Sequence, residues 1–308
     1  MEKSDRLLIV GGTGFIGRSV AIEAVNRRFD VSIISKNHCP KLKQVKGVEY
    51  IAVDIAKKKD LLIELKDRTF DYVINLGGYI DHCNYFDGGD KVFNVHFNGI
   101  VNLVNCIDKN NLKGFIQIGS SDEYGNNPAP QNEIQRELPI SPYSFAKAAS
   151  THFLQMLFRT EKYPVVILRP FLVYGPEQGD NRFIPQIIKG CLDNQKFPTS
   201  KGEQLRDFCF IDDIVQAIFC ALNGNIAYGE VINIASGKPV PIKKMIDLIV
   251  SVIGSGRPQF GQIPYRKGEN MSLYADITKA KKLLNWSPAV GLEQGLEETI
   301  KWVKSNNG

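Results

Sequence analysis

The stretch that most constrains this chain is a run of glycines set between an apolar segment and a helical one. Residues 7–10 are short and apolar, Gly11, Gly12, Thr13, Gly14, Phe15, Ile16 and Gly17 follow at once, and a helical pattern continues to residue 26. The spacing gives each of three glycines a task. Gly11 permits a tight turn out of the strand, Gly14 lets the backbone approach a bulky anion, and Gly17 lets helix and strand pack closely. The first turn of such a helix offers free N–H donors and the positive end of its dipole, which together suit a pyrophosphate. Strand, glycine turn and helix in this order predict a βα unit that binds a dinucleotide, with Thr13, Phe15 and Ile16 completing the turn.

The first two-thirds of the chain goes on alternating short apolar runs with helical stretches. Strands are predicted at 7–10, 31–34, 48–53, 72–76, 114–118 and 165–168, with helices such as 14–26 and 92–109 between them and a late strand at 231–235 joining a sheet edge. That alternation predicts an α/β fold, a doubly wound parallel Rossmann-type sheet covered on both faces. After Arg169 the texture changes to Pro, Gly and polar loops over 175–204 around one helix at 185–193, and 241–308 holds two amphipathic helices and a loop rich in Arg, Lys and Gly. The expected division is a dinucleotide-binding domain of 1–169 plus 205–236 and a smaller C-terminal substrate-binding lobe of 170–204 plus 237–308.

Bulk properties narrow the partners. A chain of 308 residues buries enough core to stand without disulfides or a metal. Its six cysteines form no C-x-x-C pair and no zinc-like spacing with histidine, so no metal site is expected and a reducing, cytoplasmic setting is. The polar start runs into an apolar stretch too short for a signal core or a membrane span. The net charge of +5 is spread out apart from Lys57, Lys58 and Lys59, which argues against a nucleic-acid partner and suits a phosphate-rich small ligand.

Cofactor choice is read at the end of the second strand. A carboxylate there would hold ribose hydroxyls and repel a 2′-phosphate, but this chain has Ser35 followed by Lys36, so NADP is favoured, with NAD as the alternative. Asp54, just past the third strand, is placed either to accept from the adenine amine or to cap the next helix. Ile55 beside it and Leu76 after the fourth strand complete the expected cofactor contacts. Tyr143 and Lys147 lie four apart, hence on one helix face, where a Lys⁺ and the cofactor's positive ring would lower the phenol's pKa toward a useful range for acid–base work, and both are also expected to contact the cofactor, Lys147 at the nicotinamide ribose. Some twenty residues upstream, Gly119, Ser120, Ser121, Asp122, Glu123, Tyr124 and Gly125 leave the fifth strand, and a hydroxyl there, Ser120 rather than Ser121, can orient a substrate oxygen toward Tyr143.

Taken together, the glycine turn, Asp54, the Ser120 segment, Tyr143 with Lys147, Arg169-Pro170-Phe171, Val173-Tyr174-Gly175-Pro176, Arg206-Asp207-Phe208 and Leu284-Asn285-Trp286-Ser287-Pro288 resemble the extended short-chain dehydrogenase/reductase family acting on nucleotide sugars. The resemblance covers nearly the whole chain. It implies a nucleotide-diphosphate sugar as substrate, with Ser121, Asp122 and Asn181 near the sugar or its diphosphate, Arg182 beside them, and Arg206 and Arg266 as two guanidinium clamps on phosphate. It also implies a homodimer through helices 92–109 and 142–158. Two departures stand out: His96 occupies a position where relatives carry Asn, and Gly77-Gly78 replaces a pair of small residues, a change expected to alter little except flexibility.

The resemblance leaves the reaction open. A 4,6-dehydratase of this family carries a Thr-Asp-Glu set, where this chain has Ser120, Ser121 and Asp122, so the acid pair is out of register unless Asp122 and Glu123 serve after a shift. A 4-epimerase holds NAD through an acidic second strand end, which Ser35 lacks. A 4-keto-sugar reductase needs only cofactor, Ser, Tyr and Lys and consumes NADPH, and this is the favoured expectation. Related 4-dehydrogenases and a catalytically silent dinucleotide sensor remain as alternatives.

Overall fold

The computed structural model describes residues 4–223, 225–265 and 268–306. In chain order the elements begin with β1 (Arg6–Val10), α1 (Phe15–Asn26), β2 (Asp30–Ser35), β3 (Val48–Ala52), α2 (Lys58–Leu65), β4 (Tyr72–Asn75), α3 (Gly89–Phe93), α4 (Gly99–Cys106), β5 (Gly114–Ile118), α5 (Pro142–Glu161) and β6 (Val165–Pro170). They continue with β7 (Leu172–Tyr174), α6 (Phe183–Leu192), β8 (Lys196–Pro198), β9 (Leu205–Phe210), α7 (Ile211–Leu222), β10 (Val231–Ile234), β11 (Pro239–Pro241), α8 (Ile242–Ile253), β12 (Arg257–Gln259), β13 (Ser272–Leu273), α9 (Thr278–Leu284) and α10 (Leu292–Asn306).

Seven strands make one parallel sheet in the order β10-β6-β5-β4-β1-β2-β3. The chain starts in the middle, winds outward through β2 and β3, then returns to the other side of β1 at β4. That reversal leaves a crevice beyond the C-terminal ends of β1 and β4, the place where such sheets bind ligands. The strands are apolar on both faces because helices cover both. Leu7, Ile9, Val31 and Ile33 pack toward Val20, Ala21 and Ala24 of α1 and Ile214 and Ile218 of α7. Their neighbours Leu8, Val10, Ile34 and Val73 pack toward Leu61 and Leu65 of α2, Ile100 and Leu103 of α4 and Leu154 of α5. The two-residue alternation of β-strand side chains splits one sequence run between two cores, and each such side chain contributes roughly 1.5–3 kcal/mol on burial.

A second, smaller sheet runs β11-β9-β13 with β7 paired to β9, and β12 pairs β8. The seven large-sheet strands and the edge position of β10 match the sequence expectation. Elsewhere the chain differs from it. Among the described residues three helices, not two, follow residue 241, because Asn285 adopts a left-handed conformation that ends α9 before α10 begins. The expected single helix over 92–109 is α3 and α4 joined by a π-helical turn at Asn94–Asn98, and it stops at Cys106 because Ile107 turns extended. Residues 205–210 join the small sheet, and the chain returns to the large one only through α7 and β10.

Buried carboxylates tie these parts. Asp207 of β9 accepts from the backbone N–H groups of Ser236 and Gly237 at 2.8 and 2.9 Å, and Asp213 of α7 accepts from those of Ala289 and Val290 at 2.8 and 3.1 Å. The indole N–H of Trp286 donates to the Asp213 carbonyl, so the closing Leu-Asn-Trp-Ser-Pro segment is a clasp on α7.

At the start of α1, a Cβ on Gly17 would collide with the Gly11 carbonyl oxygen, backbone that cannot step aside. Gly17→Ala is therefore expected to cost on the order of 1–3 kcal/mol through overpacking, read as a lower urea midpoint with unchanged slope; a wild-type midpoint would contradict this account of the turn.

Candidate functional site

The glycine turn forms as the spacing requires. Gly11 has φ +78°, and a side chain on it would meet the Leu76 carbonyl at 2.9 Å, where β4 ends alongside. Gly14 is different: a Cβ there has only the Gly11 oxygen nearby, at 3.4 Å, so this face of the turn is open. Gly14 is the N-cap of α1, no side chain caps the helix, and its first turn holds no acid. The donors of that turn therefore face a cleft of about 760 Å³ lined by the turn with Thr13 and Phe15, by Ser35, Lys36 and His38, by Asp54 and Ile55, and by Leu76 to Tyr79. An open anion-accepting helix end in an elongated cleft fits a dinucleotide's diphosphate. Ile16 packs inward against the core instead of lining the cleft.

At the far end of the cleft the Ser35 hydroxyl donates to the Asn37 carbonyl at 2.8 Å, leaving its lone pairs free. Lys36 Nζ lies 3.3 Å from Asp54 Oδ2, and its side chain is 71% exposed, free to swing to another anion. Asp54 is not a helix cap, since α2 begins at Lys58 behind Lys57; its Oδ1 instead accepts from the Ala56 N–H at 3.0 Å. One further contact closes the cleft: Arg18 of α1 donates to both oxygens of Glu177, at 2.7 and 2.9 Å.

The residues expected to handle a proton stand apart from this cleft lining. Ser141 and Ser144 form a reciprocal cap, with Pro142 in the first turn of α5, and this puts Tyr143 and Lys147 on one inward face, each 5% exposed. Lys147 Nζ donates to the Ile118 carbonyl at 2.8 Å and lies 5.9 Å from the centre of the Tyr143 ring. Burial pushes the Lys147 ammonium down to about 8, with Glu123 pulling weakly the other way. Among the protein groups around it, the Tyr143 phenol is raised. Burial is the main cause, the charge of Asp122 adds to it, and hydrogen bonding with Ser120 only partly offsets them.

Ser120 is held firmly. Its N–H donates to Glu123 Oε1 at 2.8 Å and its Oγ accepts from the Asp122 N–H at 3.1 Å. Glu123, which sequence reasoning left among candidate acids, is fully buried: its Oε2 accepts from Thr151 at 2.8 Å and from Arg169 Nε at 2.9 Å. Arg169, also fully buried, reaches Glu137 at 2.6 Å and covers the Tyr124 ring. No local sequence signal marks this pair, because its members are 46 residues apart. Ser121 is buried beside them.

On the other side of Tyr143 lie groups suited to a charged ligand. Asp122 is partly exposed, with its carboxyl raised chiefly by burial. Arg206 is paired with Glu269, not with its neighbour Asp207, which faces inward. Arg182 begins α6, and its charge is felt at Tyr143. Asn181 is exposed just before Arg182. Arg266 falls outside the described residues. His96 is buried, its Nε2 lies 2.7 Å from the Tyr79 carbonyl, and its ring stands edge-on to Tyr143 at 5.0 Å. Burial and the Lys147 charge push it down to about 3, so it stays neutral. A Cβ on Gly78, at φ +125°, would run into this imidazole. The glycine is thus a steric requirement of His96, which corrects the expectation that it alters only flexibility. His82, unnoticed in the sequence, also packs edge-on against Tyr143.

Comparison with known proteins follows the same lines. The model of the NAD dependent epimerase/dehydratase family matches residues 7–235. A putative UDP-glucose 4-epimerase of Methanocaldococcus jannaschii is 28% identical, the match covering 98% of this chain and 99% of the relative. dTDP-glucose 4,6-dehydratase 1 of Escherichia coli is 26% identical over 98% of this chain and 93% of its own length. The solved structure of a UDP-glucuronic acid 4-epimerase from Bacillus cereus, in complex with UDP-glucuronic acid and NAD, superposes with a TM-score of 0.86 at 28% identity, covering 98% of this chain and 99% of that one.

Two outcomes are expected from the buried groups. The unfolded chain holds a lysine proton up to about pH 10.4, whereas folded Lys147 releases it near 8, so this residue makes the fold gain stability as pH rises through that window. Lys147→Met should remove the gain, seen as a smaller difference between urea midpoints near pH 7 and near pH 9.5. Glu123→Ala leaves Arg169 with a buried charge short of a partner and should cost about 3–5 kcal/mol; a loss under ~1 kcal/mol would show that the pair is not what holds this region.

Proposed function

The chain belongs to the NAD dependent epimerase/dehydratase family, and from that premise we propose that it exchanges hydride between a nicotinamide dinucleotide and a carbon, C4 most readily, of a nucleotide-diphosphate sugar. The observation that carries this reading is a buried, protonated Tyr143 set between Ser120 and Lys147, beyond the end of a cleft headed by an open helix N-terminus. When bound, the dinucleotide supplies the hydride acceptor or donor. The turn at Gly11, Gly14 and Gly17 would hold its diphosphate, Ser35, Lys36 and Asp54 its adenosine end, and Leu76 the other.

The chain's own residues handle the proton. Ser120 accepts or donates at the sugar oxygen and fixes its distance from Tyr143. Tyr143, kept protonated by burial, gives up its hydroxyl proton to that oxygen as charge develops there, and takes one back in the reverse direction. Lys147 limits the cost of the transient phenolate. Arg206, released from Glu269, would take the substrate diphosphate with Arg182 and Arg266, while Asp122, Ser121 and Asn181 line the sugar side.

Within this reading we favour reduction of a 4-keto sugar by NADPH. A hydroxyl and a mobile ammonium at the end of β2 suit a 2′-phosphate, and a protonated phenol is the form a general acid needs. A 4,6-dehydratase finds less support, because Glu123 is committed to Arg169 and so is not free to serve beside Asp122 as the second acid. A 4-epimerase retaining NAD is the second reading, supported by the full-length likeness to proteins of that name.

The same reading extends to the whole molecule. The dinucleotide-binding part would comprise 1–169 and 205–236 and the nucleotide-sugar lobe 170–204 and 237–308, with β9 pairing across to the smaller sheet. Two copies associate through α3, α4 and α5, where Phe93, Phe97 and Phe145 stack and Phe145 is 53% exposed. Unpaired cysteines suit a cytoplasmic setting.

NADPH oxidation on adding a nucleotide-linked 4-keto-6-deoxy sugar supports reduction, whereas interconversion of UDP-hexoses without net cofactor change puts epimerisation in its place. In whichever reaction is found, Tyr143→Phe should lower turnover by about two orders of magnitude or more while cofactor still binds; near-normal turnover would end the role given to this residue.

A further inference from the structure

Each transfer leaves Tyr143 one proton short or one proton over, and a phenol 5% exposed cannot settle that account with bulk water directly. Two of its neighbours are closed off. Lys147 is buried with its ammonium on the Ile118 carbonyl, and His96 is buried and held neutral against the Tyr79 carbonyl. The opposite side is open. There His82, from the loop between β4 and α3, stands edge-on to the Tyr143 ring with centroids 5.7 Å apart and planes at 80°. Its Nε2 lies 3.6 Å from Asp122 Oδ2, and the two side chains are 48% and 32% exposed. Asp81 steadies this loop by accepting from the Cys83 N–H at 2.9 Å.

We propose that His82, acting with Asp122, is the proton inlet of the site, passing protons between solvent and Tyr143. This rests on the functional reading above and adds to it a residue outside the Ser-Tyr-Lys set. In the reducing direction Tyr143 loses its hydroxyl proton to the sugar alkoxide. The His82 imidazolium then gives one N–H proton toward the phenolate through Asp122 or a water, and the neutral imidazole regains a proton from buffer; no electrons move. An imidazole suits the task because its charge changes within the pH range where enzymes work. The charges facing this path are Glu123 and Arg206 at Asp122, Arg182 at Tyr143, and Asp81 beside His82 in its own loop.

The test compares wild type with His82→Gln and His82→Ala, after thermal melting has shown both folded. His82→Gln should lower kcat about tenfold while KM for the sugar nucleotide and Kd for the cofactor stay put, a modest share of the usual range for acid–base groups because the residue acts through Tyr143. The kcat–pH profile of His82→Gln should lose a limb that the wild type shows, and free imidazole should restore turnover to His82→Ala. Unchanged kcat and pH profile in His82→Gln overturn the inference, as does a lower kcat that keeps the limb and resists imidazole. A wild-type protein that exchanges hydride with no nucleotide sugar overturns the functional reading and this inference together, whereas a working wild type matched by its variants overturns the inference alone.

Discussion

A guanidinium sealed from water at the centre of this molecule sets the terms for the site around it. Arg169 lies near the end of β6, yet its partners come from elsewhere: Glu123 from the turn after β5, and Glu137 from the segment leading to α5. Glu123 in turn accepts from Thr151 on α5 and from the Ser120 backbone. A buried charge without partners is costly enough that these segments hold one arrangement. The relative placement of Ser120 and Tyr143, on separate elements, therefore follows from a fully buried ion pair.

How much of this was legible in the sequence depended on whether the cause was local. The glycine turn was readable because tight turns and close packing need particular residues at particular spacings, and Gly11, Gly14 and Gly17 behave as such. The seven strands of the large sheet were readable because strands covered on both faces are continuously apolar. Strands such as β8 and β12 were not, because each is three residues long, rich in Lys, Pro or Arg, and exists only through pairing with the other. The π-helical turn at Asn94–Asn98 was likewise hidden, since a helical pattern does not record an extra residue in one turn.

The site divides in the same way. Tyr143 and Lys147 share a helix face, which their spacing announced. What burial does to them was not announced: depth inside a folded protein raises a phenol and lowers an ammonium whatever their spacing. Glu123 looked like a loop acid until its partner, far away in sequence, was seen beside it. His82 carried no signal at all, since a lone histidine in a polar loop is unremarkable until a fold sets it against a tyrosine.

Gly78 and His96 form a lock and its bolt. The imidazole occupies the volume in which any side chain at 78 would have to sit, so a larger residue at 78 needs a change at 96. A lineage that enlarged residue 78 first would break the loop, and one that shrank residue 96 first would open a void against Tyr143. The order of the two steps is thus restricted by shape alone, and grafting this loop onto a relative would require carrying the histidine with it.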